Sequence, residues 1–103
     1  MRQFDVHANP SVRSRLHVPY FVILQSHLIA TTNLTIVAPI VPQDGRSAFT
    51  LISVTIQLGS DEFVAMVGEV TSIDTHHLGR PVGNLRAYED DIRRALDRLF
   101  TGF

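Results

Sequence analysis

"FTLISVTIQLGSDEFVAMVGEV", residues 49–70, consists of two apolar segments on either side of a polar turn. Side chains in residues 49–58 alternate between two faces, which is the period of a β-strand. One face carries Ile52, Val54, Ile56 and Leu58, and the other carries Leu51, Ser53, Thr55 and Gln57. "GSDE" has the composition of a tight turn. Residues 62–70 are therefore predicted to return as the second strand of an antiparallel hairpin.

Three more strands are predicted before this hairpin, in "QFDV" (3–6), "VPYFVILQ" (18–25) and "LTIVAPI" (34–40). The middle of the second strand is continuously apolar, so we expect it to be covered on both faces. Pro39 has no backbone N–H to donate to a ladder, which predicts an edge or end position for the third strand.

The last segment changes to the 3.6-residue period of an amphipathic helix, predicted over about residues 85–100. Its apolar stripe consists of Leu85, Tyr88, Ile92, Ala95, Leu96 and Leu99. Asn84 is the predicted N-cap. Two i,i+4 ion pairs are predicted, Glu89–Arg93 and Asp90–Arg94. Strands followed by one helix predict a mainly β fold, in which a small antiparallel barrel or curled sheet is closed by the C-terminal helix.

Composition limits the function classes. With 103 residues, 45% of them hydrophobic and 18% charged, the chain is expected to form one domain over residues 1–103. No apolar run is long enough to span a membrane, and "MRQFDVHANP" lacks a signal-peptide core, so a cytoplasmic location is expected. The sequence has no cysteine, which excludes disulfides, thiolate chemistry and cysteine-bound zinc. A net charge of −1 provides no long-range attraction to nucleic acid.

The titratable residues do not form a catalytic or metal-binding motif. His76 and His77 are adjacent, and in an extended segment they would point in opposite directions, so we expect a solvated pair. Asp61 and Glu62 fall in the predicted turn, where they favour turn chemistry over acid–base catalysis. The other histidines are expected at ordinary polar positions: His7, His17 and His27. The residues thus predict no catalytic group, metal or cofactor.

The chain ends in "FTGF", residues 100–103. In one interpretation, Phe100 and Phe103 fold back onto the core, with Gly102 providing the turn. In the other, the tail is exposed and binds a partner, and the glycine allows two backbones to approach closely.

The order of these elements resembles the CcdB family of bacterial toxins. The resemblance is carried by "QFDV" (3–6), "YFVILQSHLI" (20–29), "VAPI" (37–40), "TSI" (71–73) and "DDIRRALDRLFTGF" (90–103). The most specific parts are "LQSHLI" and the helix that ends in an aromatic residue, a variable residue, glycine and an apolar residue.

This resemblance implies an SH3-like barrel with a C-terminal helix, assembled as a two-fold homodimer. It implies a toxin that binds the A subunit of DNA gyrase, traps the DNA cleavage complex and catalyses nothing itself. Nucleic acid would be contacted indirectly, through gyrase or a repressor complex. A CcdA-like antitoxin, an acidic and disordered segment, would neutralise it. The gyrase-binding residues implied by position are Thr101, Gly102, Phe103, Ser26, Leu28 and Asp97.

Three positions depart from the pattern of the best-known members. Thr101 stands where they have tryptophan, Phe103 replaces a terminal aliphatic residue, and Ile23 replaces an acid. Two alternatives therefore remain. One is a MazF-like ribonuclease on the same barrel, with Arg13, Arg15 and His17 as the nearest candidates for its chemistry. The other is a non-toxic homologue that retains antitoxin binding.

Overall fold

A computed structural model describes residues 2–29, 33–43 and 52–102. Within them, seven strands form one antiparallel sheet, and a helix follows the last strand. The strands are β1 (Asp5–Ala8), β2 (Tyr20–Ile23), β3 (Leu34–Pro42), β4 (Val54–Leu58), β5 (Asp61–Ala65), β6 (Thr71–Asp74) and β7 (Pro81–Asn84), and the helix is α1 (Glu89–Thr101). Single 3-10 turns lie at Val67–Glu69, Thr75–His77 and Arg86–Tyr88. None of the described helices is long and apolar enough to cross a membrane.

The sheet runs in the order β4-β5-β3-β2-β1-β7, and β6 pairs with the first half of β3. It curls until its two edge strands approach each other. A Cβ placed on Gly83 of β7 would lie 3.4 Å from Cδ2 of Leu58 in β4, so the two edge strands come within van der Waals contact of each other. The predicted fold class, a small antiparallel barrel with a C-terminal helix, is confirmed.

Pro39 lies inside the central strand, so the prediction of an edge or end position was wrong. β3 pairs with β2 along one side and, on the other, with β6 through residues 34–37 and with β5 through residues 40–42. The Pro39 carbonyl accepts a hydrogen bond from Met66 N at 2.8 Å, just beyond the end of β5. Because a strand residue directs its nitrogen and carbonyl to the same side, the missing N–H falls at the junction between two partner strands. No ladder bond is lost there.

The predicted hairpin is confirmed as β4 and β5, with Leu58 opposite Asp61. Gly59 in its two-residue turn has φ +64°, a conformation that favours glycine. Both strands are shorter than predicted. Residues 52 and 53 precede β4, residues 49–51 lie outside the described residues, and β5 ends at Ala65. Asp61 and Glu62, which were predicted in the turn, belong to β5.

The core lies between the sheet and α1 and is formed by apolar side chains of both. Val22 and Ile23 are neighbours on β2 and point to opposite faces, and both have no exposed surface. The prediction that this strand is covered on both faces is therefore confirmed. β1 begins two residues later than predicted, because Phe4 has φ +70° and interrupts the extended backbone.

The helix begins at Glu89, four residues after the predicted start. Asn84 does not cap it; its side-chain oxygen accepts from the backbone N–H of Arg86, the first residue of the preceding 3-10 turn, at 2.7 Å. The apolar stripe is confirmed, with Ile92 and Ala95 buried and Leu85 buried just before the helix.

One of the two predicted ion pairs is present. Glu89 pairs with Arg93 at 3.0 Å, whereas Arg94 pairs with Asp91 at 3.2 Å, one residue closer than the predicted Asp90. Spacings of three and four residues both place side chains side by side on a helix, so the sequence alone left this choice open. These exposed pairs stabilise the helix by about 0.2–0.5 kcal/mol each.

Candidate functional site

The end of α1 is exposed. The Phe100 side chain has 73% of its surface accessible, and Thr101 and Gly102 are exposed as well. The interpretation in which Phe100 folds back onto the core is therefore wrong. Phe103 lies outside the described residues.

Gly102 ends the helix by adopting a left-handed conformation, with φ +80°. Its N–H donates to the Arg98 carbonyl at 3.0 Å, and the Thr101 hydroxyl donates to the Asp97 carbonyl at 2.6 Å. This conformation costs a residue with a Cβ roughly 1 kcal/mol or more, so glycine is favoured here for its backbone. The predicted turn at Gly102 is confirmed, but it does not return Phe100 to the core.

Phe100 borders an open groove between the helix end and the sheet. The groove has a volume of about 510 Å³ and is lined by Ile36, Val70, Thr71, Ser72 and Phe100. Ile36 pairs with Ser72 across the β3–β6 ladder. The end of the helix is thus positioned beside the outer face of β3 and β6.

The second predicted contact segment, residues 25–29, is also attached to Ile36. The Gln25 side chain accepts from Ile36 N at 3.2 Å and donates to the Ile29 carbonyl. Ser26 shapes the next turn, because its hydroxyl accepts from Leu28 N at 3.2 Å and its carbonyl accepts from Ile29 N at 3.0 Å. This turn leaves the Leu28 side chain 85% exposed.

Both segments are thus linked to Ile36, one through its hydrogen bond with Gln25 and the other through the groove that it lines with Phe100. We call the exposed apolar side chains of this region the C-terminal patch. It consists of Leu28, Ile29, Leu34, Ile36 and Phe100. These are five of the eight large apolar side chains that are exposed among the described residues. Such clustering is typical of surfaces that bind another macromolecule.

Of the residues predicted to bind gyrase, Ser26 and Leu28 lie in the turn that Gln25 attaches to Ile36, and Thr101 and Gly102 follow Phe100 at the exposed end of α1. Asp97 is exposed one helical turn before Thr101. Sequence reasoning missed Leu34 and Ile36, because "LTIVAPI" is almost continuously apolar and its sequence does not distinguish the exposed positions 34 and 36 from the buried ones.

The residues considered for chemistry lie in strands, in a loop and in a 3-10 turn. No three His, Asp or Glu side chains there are placed to hold a metal. His76 and His77 are exposed, as predicted, but in a 3-10 turn and not in an extended segment. His7 is buried, contrary to expectation, with Nδ1 2.9 Å from the Gly79 carbonyl oxygen.

Arg13, Arg15 and His17 are exposed in the connection between β1 and β2. Arg15 Nε donates to the Asn9 carbonyl at 2.7 Å, so this guanidinium helps to hold the loop. Among the hydrogen bonds and ion pairs of the described residues, none joins Arg13, Arg15 or His17 to a carboxylate.

Solved structures with the same fold include several toxins. An Mtb toxin is 22% identical, with a TM-score of 0.68 over 82% of this chain and 98% of that one. An endoribonuclease in complex with its cognate antitoxin, from a mycobacterial species, is 12% identical, with a TM-score of 0.75 over 96% of this chain and 93% of that one. The Mycobacterium tuberculosis toxin MazF-mt6 is 17% identical, with a TM-score of 0.71 over 96% of each chain. At these identities the likeness establishes the fold alone.

Sequence comparison is more specific about the family. No curated protein matches the sequence significantly. The CcdB protein family matches residues 3–102, which include every strand, the helix and all described members of the C-terminal patch. This chain belongs to the CcdB protein family.

Proposed function

We propose that this protein is the toxin of a toxin–antitoxin system and that it poisons DNA gyrase. It binds the gyrase A subunit through the C-terminal patch and the adjoining residues Asp97, Thr101 and Gly102, and it stabilises the cleaved DNA intermediate. The observation that carries the proposal is that Ile36 lines a groove with Phe100 and is hydrogen-bonded to Gln25, in the segment that contains Leu28. Family membership and the toxins among the structural neighbours support it.

The patch is suited to binding and not to chemistry. Its side chains are apolar and exposed, so covering them with a partner gains about 25 cal/mol for each Å² removed from water. Phe100 also compensates for Thr101, which replaces the tryptophan of the best-known relatives. A phenyl ring that is 73% exposed provides aromatic contact area one residue earlier.

The proposed active form is a homodimer. A two-fold axis would present two C-terminal patches together to a two-fold target. Two linked patches bind more tightly than one patch does, without any additional type of contact. Light scattering at micromolar concentration tests this assembly, and a monomer would contradict it.

Action on gyrase implies a cytoplasmic location. An antitoxin partner is proposed because a protein with the same fold is seen with its cognate antitoxin.

The test is a DNA cleavage assay with purified protein, gyrase from the same host, supercoiled DNA and ATP. We expect linear DNA with covalently bound protein. Phe100→Ser and Leu28→Ser should each lower its yield at least tenfold, a change of about 1.4 kcal/mol in binding.

The matched control is Val82→Ser, which removes a side chain that is 59% exposed and belongs to β7. It should leave the yield unchanged. If the wild-type protein is folded and yields no cleaved DNA, the gyrase proposal is wrong. If growth is also unaffected while an antitoxin binds, the protein is a non-toxic homologue.

A ribonuclease is the second candidate, favoured by the endoribonuclease that matches 96% of this chain. Cleavage of a long RNA by purified protein, abolished by Arg15→Ala, would support it. Because Arg15 also holds its loop, the loss must occur without a change in melting temperature, and the exposed Arg86→Ala variant must remain active.

A further inference from the structure

We propose that a cavity between β4 and α1 binds the phosphate group of a small molecule. The cavity has a volume of about 250 Å³, and its lining includes Thr55 of β4 and both Arg94 and Arg98 of α1. We call it the arginine cavity. None of the described residues that line it belongs to the C-terminal patch or to the residues proposed to bind gyrase. The inference therefore does not depend on the proposed function.

Two guanidinium groups give the arginine cavity its positive charge. Arg94 and Arg98 are four residues apart on α1, a spacing that places side chains next to each other on one face of a helix. Both side chains are exposed. Like charges at this spacing repel each other, and an anion bound between them would remove that repulsion. The planar fork of N–H donors on arginine matches the oxygens of a phosphate group.

Asp91 lowers this positive charge without cancelling it. Its Oδ1 accepts a hydrogen bond from Arg94 Nη1 at 3.2 Å, and it also lines the cavity. The Arg94 and Asp91 side chains are 67% and 56% exposed, so water screens their attraction. A guanidinium carries five N–H donors, and the others on Arg94 can be directed to a ligand. Two guanidinium groups and one carboxylate leave the lining with a net positive charge.

The free edge of β4 adds a backbone donor. β4 lies at one end of the sheet, and alternate residues of such a strand direct their N–H groups away from the partner strand. Gln57 N is directed away from β5 and donates to the Tyr88 hydroxyl at 3.0 Å. Thr55 is two residues earlier in the same strand, so its N–H is directed to the same edge, where Thr55 lines the arginine cavity.

These donors match a phosphate better than a carboxylate. A phosphate monoester carries a charge of about −1.5 to −2 at pH 7 and three strong acceptor oxygens. It can therefore accept from Arg94, Arg98 and the Thr55 N–H together, whereas a carboxylate has a single charge and two oxygens. The other lining residues include Val54 and Ala95, which are 7% and 1% exposed and have no polar side-chain atom.

The size of the arginine cavity limits what it encloses. Cavities that enclose a drug-sized ligand have volumes of about 300–1,000 Å³. At about 250 Å³, this one takes the phosphate group and leaves the rest of a larger molecule outside. Free inorganic phosphate and the terminal phosphate of an ester share this chemistry, so both are tested.

The experiment is an amide NMR titration of the full chain, first with inorganic phosphate and then with adenosine monophosphate. We expect saturable shifts at residues 53–55 and 91–98. The Thr55 amide should shift more than the Gln57 amide, because Gln57 N–H already donates to Tyr88. Tighter binding of inorganic phosphate would support the site with free phosphate as its ligand, and tighter binding of the nucleotide would support it with a phosphate ester.

Variants of the lining separate a built site from general attraction between charges. Arg94→Gln and Arg98→Gln should each weaken phosphate binding about tenfold, because each removes a charged hydrogen-bond donor. Asp91→Asn should strengthen it about twofold or more, because a repelling carboxylate is lost. A gain in affinity cannot result from a loss of folding. Thermal melts of all variants confirm that they fold.

Arg93→Gln is the matched control. Arg93 lies on the same helix and its side chain is 56% exposed, but it pairs with Glu89 and is not among the described residues that line the cavity. This variant should bind phosphate like the wild type. Equal weakening by Arg93→Gln and Arg94→Gln would show attraction to the helix as a whole and would overturn the inference.

Two further results would overturn it. One is the absence of saturable shifts at residues 53–55 with either phosphate compound. The other is a shift at these residues with a glutamate-rich peptide or an unphosphorylated oligonucleotide and not with phosphate. The titration contains no gyrase, so its outcome is independent of the cleavage assay. Phosphate binding without DNA cleavage would retain the arginine cavity and reject the gyrase proposal.

Discussion

Phe4 is a single residue on which three parts of the molecule depend. Its N–H donates to the Ile23 carbonyl, and its carbonyl accepts from Leu85 N, both at 2.8 Å. Its ring is 3% exposed and lies 5.9 Å from the Arg93 guanidinium carbon. To make these contacts, Phe4 adopts φ +70°, the only positive φ outside glycine among the described residues. Packing of the ring therefore outweighs a backbone cost of about 1–2 kcal/mol.

Because Phe4 combines a buried ring with a positive φ, it should respond unusually to substitution. Phe4→Ala should lower the free energy of unfolding by about 3–5 kcal/mol, because a buried ring is lost. Phe4→Gly should be no less stable than Phe4→Ala, since glycine adopts a positive φ without strain. Thermal or urea denaturation measures both.

Val6 provides the matched comparison, as a buried β1 residue with an ordinary φ. There, glycine should be less stable than alanine by roughly 0.5–1 kcal/mol. Equal alanine-to-glycine differences at positions 4 and 6 would show that the backbone at Phe4 is unstrained.

At the scale of elements, a strand or helix could be predicted from the sequence where its apolar side chains recur at a regular spacing. The β4–β5 hairpin and the stripe of α1 follow from alternation and from a 3.6-residue repeat, so both were found. Pro39 was assigned to an edge or end because its missing N–H would otherwise break a ladder bond. A junction between two partner strands avoids that loss equally well. The start of α1 was misplaced because Leu85 is buried in the core from a position just before a 3-10 turn, outside the helix. The patch is harder to predict, since Ile36 is linked to Gln25 and to Phe100 by contacts between residues distant in sequence.

The helix end also carries a prediction. Deleting Gly102 and Phe103 should abolish toxicity in cells. The melting temperature should change little, because no atom outside the immediate chain lies within 4 Å of a Cβ built on Gly102. Growth after induced expression and a thermal melt measure the two effects. A large fall in melting temperature would mean that the tail stabilises the fold.

At the scale of the whole molecule, the apolar core and the exposed C-terminal patch are separate. Buried side chains of the sheet and α1 form the core, whereas Leu28 is 85% exposed and Phe100 is 73% exposed, so the stability of the isolated chain explains neither of them. Changes at the patch should alter binding and leave the fold intact.

The central claim is that the C-terminal patch binds gyrase, and calorimetric titration of the protein into the purified gyrase A subunit tests it most directly. The account predicts saturable binding that Phe100→Ser weakens at least tenfold and that Val82→Ser leaves unchanged, with all three proteins melting at similar temperatures. Equal affinity of the Phe100→Ser variant and the wild type, or no binding by folded wild-type protein, would contradict it.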